Sequence, residues 1–302
     1  MALRVLVASY SQTGQTGEIV RRFLKPFGRY ELDWVRIEAA EPFPFPWPSA
    51  DFFDAMPETV LEIPVPLQPV AYRYEKYDLV VIGYQPWFLS PSLPVSALLR
   101  DPGFRSRMVG TPVITLSGGR NMWLNAQESV KRHIRDAGGR LVANIPLVDR
   151  NLNHVSVITI IHWLIGGKKD RMWGIFPLPG VSDEDINFVS RYGEVAVDAL
   201  ENGSLDQLQN RVLAFGKISV PTDILFIEER AKRLFHIWAN LIRKKGTTPG
   251  KRRRLVSLFK YYLLIALFLV APLLLGVYYL TVWPFTRKQL LRKKQYFCGV
   301  EV

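Results

Sequence analysis

Residues 4–16 read Arg4-Val5-Leu6-Val7-Ala8-Ser9-Tyr10-Ser11-Gln12-Thr13-Gly14-Gln15-Thr16, and this passage with its continuation to residue 24 decides the fold. Residues 4–9 form a short apolar run, with the length and composition of a buried strand. Residues 16–24 carry Ile19, Val20 and Phe23 on one helical face. The chain therefore opens strand, polar loop, helix. In the loop, small hydroxyl side chains and one glycine let N–H and O–H groups converge on an anion. The helix start behind them adds a favourable dipole. There is no Walker-type lysine and no G-x-G-x-x-G, so neither a nucleoside triphosphate nor a Rossmann dinucleotide is indicated. Hydroxyls and amides alone suit a single terminal phosphate.

The same alternation continues. Strands are predicted over residues 31–37, 79–84, 112–116 and 141–148. Helices are predicted over 95–99, 125–137 and 183–201, the last capped by Ser182 and stopped at Asn202-Gly203. Near-continuous apolar strands alternating with helices mean a parallel sheet covered on both faces. Two segments interrupt the plan. Residues 42–69 contain eight prolines and read as an extended loop without regular elements. Residues 150–180 are an insertion. Its apolar stretch, 155–165, is too short to span a membrane, and Trp163 and Trp173 flank a basic patch. A helix over 221–245 places Ile224, Ile227, Ala231, Leu234, Trp238 and Leu241 on one stripe. That stripe could pack on the domain, lie on a membrane or pair with a second copy in a homodimer.

The chain has 302 residues and a net charge of +12, with 39 Lys and Arg against 27 Asp and Glu. An apolar share of 48% supports a packed core and argues against disorder. Cys298 is the only cysteine, so no internal disulfide and no cysteine-based zinc site can form, and no metal site is expected. Much of the positive charge brackets one segment. Arg243, Lys244, Lys245, Lys251, Arg252, Arg253 and Arg254 precede it; Arg287, Lys288, Arg292, Lys293 and Lys294 follow. Between them, residues 261–285 carry no charge, which is long enough to span a bilayer. Tyr261 and Tyr262 at one end, and Tyr278, Tyr279 and Trp283 at the other, resemble an aromatic belt. The basic clusters lack interleaved stacking aromatics and any nucleic-acid motif, so the partner is a membrane lipid surface and not nucleic acid. The heavier N-terminal flank favours a cytoplasmic domain on the inner membrane. Pro272 and Gly276 leave open a single span or a shallow re-entrant hairpin. Residues 1–9 contain no cleavage site and read directly into a strand, so no signal peptide is expected. The organisation is a domain over 1–203, an amphipathic helix and basic linker over 204–254, and a membrane segment with basic tail over 255–302.

The loop at Ser11, Thr13, Gly14 and Thr16 is similar to the FMN phosphate loop of the flavodoxin-like family. Gly83-Tyr84-Gln85-Pro86-Trp87-Phe88, with Pro94-Val95 and Leu98, resembles the second flavin loop of flavin-dependent quinone reductases. Thr111-Pro112-Val113 followed by Ser117-Gly118-Gly119 resembles the third, and Gly180-Val181-Ser182-Asp183 is also similar. The resemblance covers about residues 2–203. It implies a doubly wound five-stranded parallel α/β sheet of order 2-1-3-4-5, with ligand at the carboxyl ends of the strands. It assigns FMN to Ser11, Gln12, Thr13, Gly14, Gln15, Thr16, Gln85, Pro86, Trp87, Phe88, Ser117, Gly118 and Gly119. Trp87 is expected to stack on the flavin ring, and Ser117, Gly118 and Gly119 to offer N–H groups to its O2/N1 edge. Arg120 is the candidate for stabilising negative charge there, and His154 for an acid or base. His162 reads as a packed histidine.

The N-terminal loop, the insertion ending in Lys168-Lys169-Asp170-Arg171-Met172-Trp173-Gly174-Ile175-Phe176-Pro177 and the basic C-terminal membrane segment together resemble the dialkylresorcinol condensing enzyme family, which accompanies ketosynthases in bacterial lipid and polyene pigment pathways. That resemblance implies a flavin-dependent oxidation aromatising a cyclic dione to a resorcinol, beside a ketosynthase partner that makes the carbon–carbon bond. Three other readings stay open: an NAD(P)H:quinone reductase-like enzyme, a membrane-tethered flavodoxin electron carrier, and a flavin-free scaffold.

Overall fold

A computed structural model describes residues 3–301. Five strands form one parallel sheet: β1 (Arg4–Ser9), β2 (Glu31–Arg36), β3 (Leu79–Tyr84), β6 (Pro112–Gly119) and β7 (Arg140–Val148). Two short strands, β4 (Pro86–Trp87) and β5 (Ser90–Pro91), make a separate hairpin. The main sheet runs β2-β1-β3-β6-β7. Counted along the chain, this is the order 2-1-3-4-5 of the flavodoxin-like fold. Its helices are α1 (Gln15–Phe23), α2 (Ser49–Asp54), α3 (Met56–Val60), α4 (Leu93–Leu98), α5 (Pro102–Met108) and α6 (Leu124–Asp136). Then come α7 (Asn153–Gly166), α8 (Asp183–Glu201), α9 (Leu208–Leu213) and α10 (Thr222–Lys245).

Strand alternation builds two cores from one sheet. Val5, Val7, Leu79 and Val81 face α1 and α8, while Leu6, Ala8, Val80 and Ile82 face α4 and α6. Ser182 caps α8 by accepting from the Asp185 N–H at 3.1 Å. A Cβ at Gly83 would lie 2.4 Å from Val20 Cγ2 and 2.9 Å from Ser9 Cβ. Glycine there lets α1 settle directly onto β3, which brings the 11–16 loop down to the end of the sheet.

Several expectations need correction. Residues 42–69 are not wholly extended, since α2 and α3 form within them. Pro48 precedes α2 and Pro57 lies in the first turn of α3, positions where a missing N–H costs no helical bond. Ser117-Gly118-Gly119 do not form a loop. They continue β6, because β7 runs beside them to the pair Gly119↔Val148. Leu205, Leu208 and Val212, beyond residue 203, join the core on the α8 face. The α10 stripe is rotated: Ile224, Leu225, Glu228, Phe235, Ala239 and Ile242 are buried, whereas Leu234 and Leu241 are exposed.

From Pro249 to Cys298 the chain is helical, with π-helical turns at Ala266–Val270 and Tyr278–Val282. We call this the apolar helix. Its start is held by Arg252, which donates to Asp54 at 2.7 Å and to Glu58 at 2.8 Å. Phe259 is buried against Phe53 and Phe235. Its far end returns to the same domain: Lys293 donates to Glu229 at 2.6 Å and Tyr296 to Glu128 at 2.8 Å. The Cys298 carbonyl accepts from Gln209 at 2.5 Å, and the Glu301 carbonyl from Lys131 at 3.1 Å.

Candidate functional site

A cleft of about 440 Å³ opens at the carboxyl end of the sheet. The 11–16 loop forms one end. Gly14 takes the left-handed conformation (φ 84°) at the start of α1, which turns the backbone sharply and permits no easy replacement. The Ser11 hydroxyl accepts from the Thr16 N–H at 3.0 Å. Thr16 Oγ1 is buried with no hydrogen-bond partner. An unpartnered buried hydroxyl is uncommon, because burial without a bond costs roughly 1–3 kcal/mol. A polar group entering the loop would relieve it. The loop's shape and this orphan hydroxyl therefore fit a phosphate.

Two of the expected ligands, Gln12 and Gln15, brace the loop. Gln15 makes a reciprocal pair with the Val181 backbone, donating to its carbonyl at 3.0 Å and accepting from its N–H at 2.9 Å. Gln12 donates to the Pro44 carbonyl at 2.7 Å, and its own N–H donates to Gln85 at 2.7 Å. These bonds fix the 11–16 loop to the insertion on one side and the Pro-rich segment on the other.

The β4–β5 hairpin forms a wall. Phe88 and Leu89, its two turn residues, both have positive φ (45° and 65°), as a two-residue I′ turn requires. For such bulky side chains this is a strained conformation. Trp87 is buried in an aromatic cluster, 4.6 Å from Trp47 and 5.1 Å from Phe43 between ring centroids, rather than standing free. Phe88 instead reaches the junction of Phe52, Phe235 and Phe259.

Gly118 and Gly119 form the floor. A Cβ at Gly118 would lie 2.8 Å from Ile19 Cδ1 and 3.2 Å from Thr16 Oγ1; one at Gly119 would lie 3.2 Å from Pro86 Cδ. Close approach of α1 on one side and the β4–β5 hairpin on the other thus dictates the glycine pair. Ser117 lies deeper, buried against the Tyr84 hydroxyl. Beside the floor, Arg120 donates to Ser156 Oγ at 3.3 Å and to the Asn153 side chain. Ser156 in turn donates to buried Asp149 at 2.9 Å. Burial lowers the Arg120 guanidinium to about 10, opposed by the Asp149 charge, so it remains cationic at neutral pH.

Of the expected residues, Thr13, Gln15, Gln85, Pro86, Trp87, Phe88, Gly118, Gly119 and Arg120 line the cleft. Ser11, Gln12, Gly14, Thr16 and Ser117 adjoin it without lining it. His154 does not line it: Nε2 bonds the Leu267 carbonyl on the apolar helix. Sequence reading missed the opposite wall. Ile227, Arg230 and Leu234 of α10 and Tyr262, Leu267 and Leu274 of the apolar helix complete the cleft. The apolar character of both helices was visible, but nothing local in the sequence says that they close over the loops. Glu228 was also missed. Buried on α10, it accepts from the Asn125 N–H at 2.7 Å and so caps α6, which has no cap of its own. Among the described residues no cluster of His, Cys, Asp and Glu could hold a metal ion.

No family model matches the chain, and no curated protein matches it. Its fold is similar to solved structures at low identity. A flavoprotein from Lactobacillus acidophilus NCFM in complex with FMN is 18% identical with a TM-score of 0.38, the match covering 48% of this chain and 93% of that one. A flavodoxin from the domain Archaea is 10% identical with a TM-score of 0.37, covering 66% and 99%. The two-electron reduced flavodoxin of Megasphaera elsdenii is 15% identical with a TM-score of 0.29, covering 49% and 90%.

Proposed function

We propose that the chain is an FMN-dependent oxidoreductase, attached to the inner membrane with its flavin domain on the cytoplasmic side, acting on a lipid-like ring. One observation carries the reading: a phosphate-type loop with an unpartnered buried hydroxyl opens into a cleft whose far wall is the chain's most apolar helix. Ser11, Thr13 and Thr16 would hold the phosphate, helped by the start of α1. Gln12 and Gln15 keep the loop in place. Gly118 and Gly119 admit the ring system, and the Phe88 hairpin and α10 wall it. When bound, FMN supplies the electron or hydride transfer. Arg120, fixed by Asn153 and Ser156, supplies a positive charge at the floor of the cleft. The apolar helix excludes water, which strengthens that charge.

An apolar wall suits a ring bearing alkyl or polyene chains, since each buried CH₂ contributes about 0.8 kcal/mol. The narrower reading is aromatisation of a cyclic dione to a dialkylresorcinol beside a ketosynthase; it rests on the layout of the chain. A quinone reductase taking electrons from NAD(P)H is the alternative with the same cleft. An electron carrier is less well supported, because a helix over the cleft hinders close approach of a redox partner.

The test begins with detergent-purified protein. Visible absorption and mass of the released cofactor should give FMN. Turnover should then be assayed on cyclic diones and quinones with a series of alkyl chains. Colourless protein that takes up no added FMN rejects the cofactor; equal efficiency for short and long chains rejects the lipid-like substrate.

A further inference from the structure

The segment Pro249–Thr281 contains a window of mean hydropathy 2.5 of which only 6% is buried in the protein. It must meet an apolar medium. Yet three places along the apolar helix are tied to one and the same domain. At the start, Arg252 pairs with Asp54 and Glu58. In the middle, His154 Nε2 bonds the Leu267 carbonyl at 3.0 Å. At the end, Tyr278 is buried on Phe226 with ring centroids 4.0 Å apart, and Lys293 and Tyr296 pair with Glu229 and Glu128. A helix crossing the roughly 30 Å hydrocarbon core would carry its end to the face opposite the domain. This one brings its end back.

Its two faces also differ. Tyr262, Ala266, Leu267, Val270 and Leu274 look into the cleft. Leu269, Leu273, Val277 and Leu280 form an outward stripe at spacings of four, four and three residues. They are 57–81% exposed: Leu269 63%, Leu273 72%, Val277 57% and Leu280 81%. The domain takes the place of the polar face that a membrane-surface helix normally carries. Both basic clusters then stand on the domain's side of the membrane, within reach of anionic headgroups. That explains why both flanks are positive.

We infer that the apolar helix does not cross the bilayer: it lies in the hydrocarbon of a single leaflet, its outer stripe in lipid and its inner face roofing the cleft. The cleft then opens sideways into that leaflet. The inference rests on the membrane attachment proposed above and specifies its geometry.

Cysteine pairs in the full chain, left in its native membranes, test it. The Cys298 thiol sits against the Val220 backbone N–H, so Val220→Cys creates one close pair. Glu128→Cys with Tyr296→Cys, on a Cys298→Ser background, creates a second at a more exposed site. A membrane-permeant bismaleimide is the probe. The expected result is chain that stays in the membrane fraction after a high-salt wash and is mostly crosslinked within the molecule at both pairs, with no crosslink in single-cysteine controls. Membrane-bound chain that fails to crosslink, with the cysteine at 296 labelled from the face opposite the one at 128, overturns the geometry. Chain that leaves the membrane on washing yet crosslinks overturns the attachment instead.

Discussion

His154 Nε2 donates to the Leu267 carbonyl at 3.0 Å, and its ring lies on Phe268 with centroids 5.6 Å apart. The π-helical turn explains why that carbonyl is available. Over Ala266–Val270 the ladder shifts to i→i+5 bonds, with the Ala271 N–H on the Ala266 carbonyl. The next bond in that register would bring residue 272 to Leu267, but Pro272 has no N–H. His154 fills the gap, so its imidazole fastens the roof rather than reaching the chemistry. His154→Phe keeps the ring contact and removes the donor. It should destabilise the folded protein by about 0.5–1.5 kcal/mol, the net contribution of a hydrogen bond at a half-buried carbonyl. Thermal melts and hydrogen exchange at residues 266–272 check this. Faster exchange there with unchanged flavin affinity is expected.

Thr16 gives a sharper test of the loop than deleting several groups together. Its Oγ1 is buried without a partner. Thr16→Val keeps the shape and removes an unsatisfied group, so the flavin-free protein should be as stable as the parent or more so. FMN binding should nevertheless weaken by roughly 1–3 kcal/mol, as a phosphate bond is lost. Paired melts and flavin titrations separate the two effects. Unchanged FMN affinity would place the phosphate elsewhere.

Glu228 sets a pH dependence. Burial raises its carboxyl from 4.5 to about 7, against the lowering effect of the Asn125 and Leu124 N–H groups. The folded state therefore holds a proton that the unfolded chain has released, and stability falls as pH rises from about 4.5 through about 7. A tenfold difference in proton affinity between the folded and unfolded chain corresponds to about 1.4 kcal/mol. Glu228→Gln stays neutral and can still accept the Asn125 bond. Urea midpoints measured from pH 5 to pH 8 should decline in the parent and stay flatter in the variant. Parallel curves would mean that Glu228 is charged throughout.

The sheet was legible because its signals are local. β1 and β3 are short apolar runs buried along their length, and the Gly14 turn and Ser182 cap announce the helices that follow. The place of the 11–16 loop, between β1 and α1 at the end of the sheet, was legible for the same reason. What failed was long-range. Proline counts over 42–69 do not distinguish a proline that starts a helix from one that breaks it. The α10 stripe was misplaced because a carboxylate, Glu228, lies on the buried face, where it caps a helix about a hundred residues earlier in the chain. The return of the apolar helix depends on pairs such as Lys293 with Glu229, whose sequence separation leaves no pattern to read.

Arg252 decides whether residues 255–302 are a separable anchor or part of the fold. Phe259, Tyr278 and Leu290 are buried on the domain and the helix lines the cleft, so cutting it away uncovers Phe235, Leu225 and Trp123. A milder probe is Arg252→Ala. Arg252 donates to Asp54 and Glu58 at once. Burial raises the Glu58 carboxyl, but Arg252, a backbone N–H and Arg243 together more than offset this and the net value lies below 4.5. A carboxylate shifted this way stabilises the fold above about pH 4.5, and that stability disappears as pH falls further through the depressed value. Arg252→Ala should therefore destabilise the protein at neutral pH by roughly 1.5–3 kcal/mol, as charged hydrogen bonds are lost. The difference from the parent should shrink as pH falls below about 4.5. Glu58→Gln should do the same, and the double variant should cost less than the sum, because the two residues share one interaction. Acid titrations followed by tryptophan fluorescence, with urea melts at pH 7, provide the measurement. Full additivity at pH 7 would show that the start of the apolar helix is not held by this pair.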